Sequence, residues 1–156
     1  MTALGEKKTL KRLVDHSLGL EVVIVNAPVV RVRGEWTLNV NRNVYREAVL
    51  RHLVRDPRRM TGDQVAFVRK CFGMTSRAFA GRLGVKHTAV LKWESRKQYP
   101  TDMAWTTEKE IRMSILDSVE KSATRFREIW RSLGAMEDEN GRAATEIQID
   151  GADLAA

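Results

Sequence analysis

MTSRAFAGRLGVKHTAVLKWES, Met74 to Ser95, spells two short helices joined by a tight turn. Thr75 suits an N-cap, Phe79, Ala80 and Leu83 form one apolar face, and Gly84 is placed to stop the helix. After Gly-Val-Lys a second helix runs from His87 to about Ser95 and buries Val90 and Trp93. Two helices that cross steeply over a short turn need three things: a small residue where they touch, a residue that tolerates a left-handed backbone, and a buried aliphatic in the second helix. Ala80, Gly84 and Val90 meet those needs, and Phe79, Leu83, Val85 and Trp93 fill the remaining apolar positions. Just upstream, Thr61 and Gln64 form a capping box for a third helix, whose Val65, Val68 and Phe72 share a face before Gly73 ends it. The expected product is a small, self-packed unit of three helices.

The whole chain sets bounds around that unit. At 156 residues it suits one ordinary domain or two small ones. With 43% hydrophobic and 30% charged residues it reads as globular and not as wholly disordered. No stretch approaches the roughly 18 consecutive apolar residues of a membrane helix, and the N-terminus has no signal-peptide apolar segment. A cytoplasmic protein with no membrane partner is expected. Cys71 stands alone and the three histidines are scattered, so neither an internal disulfide nor a metal site is expected. The net charge is +7, and it is uneven. From Ala135 onward six acidic residues face one basic residue, which leaves the first 134 residues at +12. A basic body with an acidic tail suits a polyanionic partner.

Outward from the helical unit, residues 1–19 read as a basic, flexible arm and residues 20–58 as a small β-plus-helix segment. Within the latter, LEVVIVNAPVVRVRGEWTLNVN is dense in β-branched residues and alternates in its second half. It predicts two or three antiparallel strands with a turn at Gly34. A helix follows from Asn43 to about Val54, and Pro57 stops it. Residues 59–105 hold the three-helix unit. Residues 106–134 read as one long helix opened by a Thr107–Glu110 capping box. Its apolar seam, Leu116, Val119, Ala123, Phe126, Trp130 and Leu133, suits either pairing of two protomers or packing on its own domain. Residues 135–156 read as an acidic, disordered tail with some apolar grip from Ile147, Ile149 and Leu154.

The segment Thr61–Ser95, through GMTSRAFAGRLGVKHTAVLKWES, resembles the helix-turn-helix of the phage repressor and Cro type, the XRE group. The resemblance implies an XRE-type helix-turn-helix bundle; together with the strands and the long C-terminal helix read above, it makes the expected fold mainly α with a small N-terminal antiparallel β segment. It also implies that an arginine of the first helix pairs with the glutamate after the tryptophan, here Arg69 with Glu94. By position in that pattern His87, Thr88 and Lys92 match base-contacting sites, and Lys86 and Ser76 match phosphate-contacting sites. Lysine can donate to guanine, and threonine can meet polar edges or the thymine methyl. Arg77, Arg96 and Lys97 lie close enough in sequence to add backbone contacts.

The order of parts, a β-containing N-terminal segment, a helix ending in RDPRRMTGDQVAFVRK, and then this unit, is similar to bacterial type II antitoxins of the MqsA kind. That likeness implies a homodimeric repressor of its own operon, bound to palindromic double-stranded DNA, with an N-terminal part that masks a toxin. The two CxxC zinc pairs of that group are missing here. A stand-alone transcriptional regulator and a protein-binding adaptor are the alternatives. An enzyme is not expected, since the chain has no phosphate-binding glycine loop, nucleophile elbow or zinc motif. His52, with Arg51 and Arg55, is the best candidate for a hidden nuclease. No catalytic residue, metal or cofactor is assigned.

Overall fold

The computed structural model describes residues 5–136 and 146–154. These form an α/β fold of six α-helices and a four-stranded mixed sheet. The strands are β1 (Lys7–Asp15), β2 (Val22–Val32), β3 (Glu35–Leu38) and β4 (Ile147–Asp150). The helices are α1 (Arg42–Arg55), α2 (Gly62–Cys71), α3 (Ser76–Leu83), α4 (His87–Glu94), α5 (Trp105–Val119) and α6 (Ala123–Ala135). The expectation of a mainly α chain with a small antiparallel segment is thereby corrected. The physical reason is that Lys7–Asp15, expected to be an arm, and Ile147–Asp150, expected to be a tail, both join the sheet.

The chain divides into two compact units, Met1–Val49 with Glu146–Ala156, and Leu50–Thr145. In the first unit β2 is the central strand. It pairs antiparallel with β1 along its length, antiparallel with β3 over Val29–Val32, and parallel with β4 over Val22–Val25. Val22 and Ile24 share a face with their partners Ile147 and Ile149, while Val23, Ala27 and Val29 point to the other face. All seven are buried, Ile149 being the most accessible at 9%. A strand covered on both faces reads as a continuous apolar run, which is why Val22–Val25 does not alternate.

Arg33 and Gly34 join β2 to β3, and both have positive φ, as a two-residue type I′ hairpin turn requires. The supposed arm contributes β1, whose Lys7, Lys8, Lys11 and Arg12 are exposed. Lys8 lies 4.0 Å from the centroid of the Trp36 ring. Tyr45, at the start of α1, is buried and donates to the Asp15 carboxylate at 2.6 Å. Burial first, and then that bond, push the Tyr45 phenol above its ordinary value.

The supposed tail is corrected in the same way. Residues 137–145 lie outside the described residues, but Ile147–Asp150 is a strand and Gly151–Leu154 a 3-10 turn with Leu154 fully buried. Gly151 approaches β2 so closely that a Cβ there would lie 2.3 Å from the Asn26 carbonyl oxygen. The Asn26 side-chain amide donates to Asp150 beside it. The segment Ile147–Asp150 with Gly151 is therefore fitted closely against β2.

The long C-terminal helix is corrected to two. Glu120 takes an extended backbone after α5, and Ser122 then caps α6 by accepting from the Arg125 amide. The Glu120 carboxylate accepts from the Ser122 amide and from Arg51, which hold it below its usual range. The break redistributes the supposed seam: Leu116, Val119 and Leu133 are buried, whereas Ala123 and Trp130 are exposed. The Thr107–Glu110 box is not formed either. α5 begins at Trp105 without a side-chain cap, and Glu108 is drawn into the interior.

Candidate nucleic-acid interface

The three helices α2, α3 and α4 are set up locally by their caps and turns. Thr61 accepts from the Gln64 amide at 3.2 Å and Gln64 accepts from the Thr61 amide at 3.1 Å, which satisfies two of the open donors of α2. Thr75 caps α3 by accepting from the Ala78 amide at 3.1 Å. Gly84 ends α3 with φ +69, and the Val85 amide donates back to the Ala80 carbonyl. Phe79, Ala80, Val90 and Trp93 are buried.

Two devices then fix the far end of α4. Gly62 lets the start of α2 lie directly on the α4 backbone. A Cβ there would sit 2.4 Å from the Trp93 carbonyl oxygen and 2.7 Å from the Lys97 nitrogen. The Gly62 and Asp63 amides donate to the Tyr99 and Lys97 carbonyls, so the opening of α2 is satisfied by the chain that leaves α4. The second device is an ion pair. Arg69 on α2 donates through Nε and Nη2 to both oxygens of Glu94, each at 2.8 Å, and through Nη1 to the Met74 carbonyl. Bonds to Glu94 raise the Arg69 pKa above its ordinary value, against the opposing effect of partial burial. One side chain thus joins α2, the turn before α3 and the end of α4.

A third support was not anticipated from sequence. Glu108 of α5 is fully buried and accepts from Arg59 Nε at 3.0 Å, from the Met60 amide at 3.0 Å and from Arg112 Nη2 at 2.8 Å. Arg112, also fully buried, donates to the carbonyls of Leu53, Asp56 and Arg58. These lie at and just beyond the end of α1, where a helix leaves carbonyls without internal partners and favours a cation. The network anchors the loop that leads into α2. Glu108 and Arg112 are spaced four apart, a pattern that ordinarily marks a solvated helix face. The signal that distinguishes this pair is the apolar residue beside it, Ile111, with Ile115 and Leu116 a turn on.

With Val90 and Trp93 turned inward, Thr88, Leu91, Lys92 and Ser95 form an exposed outward stripe on α4. Thr88 and Lys92 are thus brought together one turn apart. Lys86 sits exposed at the N-cap and makes no side-chain cap bond. Arg77 is exposed on α3, and Ser76 is half-buried at its start. His87 is half-buried, and at about 100° per residue it stands roughly a quarter turn from the centre of the stripe. Arg96 is exposed but donates to the Asp102 carboxylate at 2.9 Å and to the Pro100 carbonyl. Lys97 is exposed, with φ +51.

The sign of this surface is uniform. Met74–Gln98 carries six lysines and arginines and a single acid, Glu94, whose charge is met by Arg69. A surface of this kind can hold phosphates by charge and present short polar side chains to base edges.

The His52 patch is organised differently. His52 Nε2 lies 3.2 Å from Asp56, while Arg51 donates to Glu120 and to the Val119 carbonyl. Burial would raise the Asp56 pKa, but hydrogen bonds from His52 and Arg58 outweigh it and hold the carboxyl well below its usual range. Its polar groups are joined to one another at the end of α1. Among the described residues no group of three or more His, Cys, Asp or Glu side chains is placed to hold a metal ion, and no helix is long and apolar enough to cross a membrane. No protein-family model, no curated protein and no solved structure matches the chain.

Proposed function

We propose that the chain is a non-enzymatic, sequence-specific DNA-binding repressor of the XRE helix-turn-helix type, acting in the cytoplasm as a homodimer on a palindromic operator. Thr88 and Lys92 read base edges from the α4 stripe and His87 adds a contact at its flank. Lys86, Ser76, Arg77 and Lys97 hold phosphates, with Arg96 a weaker contributor because Asp102 shares its charge. The observation that carries this reading is the outward stripe of α4 on a segment whose one acid is neutralised from behind by Arg69. Such a helix can enter the major groove without presenting a carboxylate to the phosphates. Two copies are needed because groove readers of this kind engage half-sites about 34 Å apart.

By the order of its parts the protein is proposed to be an antitoxin that represses its own operon. The N-terminal, sheet-bearing part would mask the toxin. Co-purification with the product of the adjoining gene tests that portion separately.

The experiment for DNA reading is a mobility shift of the pure protein on its own upstream DNA and on random DNA, over a range of salt. The log of affinity should fall with log salt at about −0.9 per phosphate neutralised. A Thr88→Ala/Lys92→Ala variant should lose discrimination between the two DNAs, whereas Lys86→Ala should weaken both alike. Weak binding that is indifferent to sequence and to both variants would overturn the proposal and favour a protein-binding adaptor.

A further inference from the structure

Leu91 stands in the middle of the polar stripe, with Thr88 one turn before it, Lys92 beside it and Ser95 one turn after. It is 50% exposed, while the neighbouring apolar residues of α4, Val90 and Trp93, are at 0% and 7%. The helix is anchored by those two residues, by the Arg69–Glu94 pair and by the Gly62 contact, so Leu91 adds little to holding it in place. A scattered exposed leucine is ordinary, but this one is flanked by the groups best placed to meet base edges. In the major groove each base pair offers donors and acceptors, and the apolar group it can offer is the C5-methyl of thymine. A leucine in that position gains nothing from guanine, cytosine or adenine edges and gains contact area from a methyl.

We infer that Leu91 is a specificity-determining residue that covers a thymine methyl, so that each half-site contains a thymine recognised by apolar contact, close to the base read by Lys92. The inference rests on the proposal that α4 reads DNA, and it names a base and a chemistry that the charge of the surface does not specify.

The test uses 2′-deoxyuridine, which keeps the hydrogen-bonding edge of thymidine and removes only the methyl. Duplexes are first selected from a random pool with the full chain. Each thymine of the selected site is then replaced in turn by uridine, and binding is measured for the native protein and for Leu91→Ala, at a temperature where thermal melting shows both to be folded. At one thymine per half-site the native protein should lose about fourfold in affinity, the effect of withdrawing one buried methyl. Leu91→Ala should bind the two duplexes equally. If the site is selected but no uridine weakens the native protein, or if uridine weakens both proteins alike, Leu91 does not read a methyl. If no sequence is selected from the pool at all, α4 does not read bases, and the inference falls together with the proposal on which it rests.

Discussion

The helical segment Thr61–Ser95 and the four-stranded sheet solve the same problem, covering an apolar face, by opposite routes. In the helical segment the caps and turns close over a few residues, and its key ion pair, Arg69–Glu94, spans 25. The sheet is completed only when the chain end returns to β2, and its Asn26–Asp150 hydrogen bond spans 124 residues. The first arrangement leaves one face of α4 with no packing duty, available for recognition. The second commits both faces of β2 to the interior, so the unit has little apolar surface to spare along Val22–Val25. Local closure also forms faster than long-range strand pairing, because loop-closure entropy must be overcome before β4 gains its contacts.

Three substitutions test whether the two regions are independent. The largest effect is expected from Arg112→Ala, which removes the buried cation shared by Glu108 and three carbonyls. Loss of one member of a buried pair destabilises by about 3–5 kcal/mol. Amide hydrogen exchange should report lost protection in α2–α5, with the sheet amides unchanged. Ile147→Ala comes next, at about 2–4 kcal/mol for a buried branched side chain, and should show the opposite pattern: the β2 and β4 amides exchange faster and α2–α4 keep their protection. Should either variant expose both regions together, they unfold as one and the contrast fails.

The smallest effect concerns acid. Asp56 has a folded pKa depressed below the ordinary carboxylate value near 4, so its contribution is fully present above about pH 4 and is lost as pH falls through the lower folded value. Asp56→Asn should therefore lower stability at neutral pH and flatten the acid limb of the stability curve below about pH 4. A variant whose acid limb matches the native protein would contradict this role.

The legible and the illegible parts of the fold differ in the same way as the two regions. Thr61, Thr75 and Gly84 act through their own backbone neighbours, so their residue types alone announce the caps and the left-handed turn. The Arg33–Gly34 hairpin is legible for the same reason. β4 was not, since Ile-Gln-Ile-Asp is too short to declare itself, and its partner strand lies at the other end of the chain. The Val22–Val25 run held a clue, because a strand apolar on both faces requires cover on both. The α5–α6 break escaped because apolar spacing continues across it, while Glu120 and Ser122 stop the helix through side-chain bonds to the backbone. In the candidate interface the positions of Thr88 and Lys92 follow from helical periodicity. The half-burial of His87 and the Arg96–Asp102 pair depend on packing and on a loop that no period describes.

Whether the outward stripe of α4 meets DNA bases is read residue by residue in an NMR titration of the full chain with a duplex selected from random DNA. Amide shifts should concentrate at Lys86–Ser95 and at Ser76 and Arg77, at the stoichiometry of one chain per half-site, while β1–β4 stay unperturbed. Shifts confined to the sheet, with α4 silent, would contradict base contact by α4.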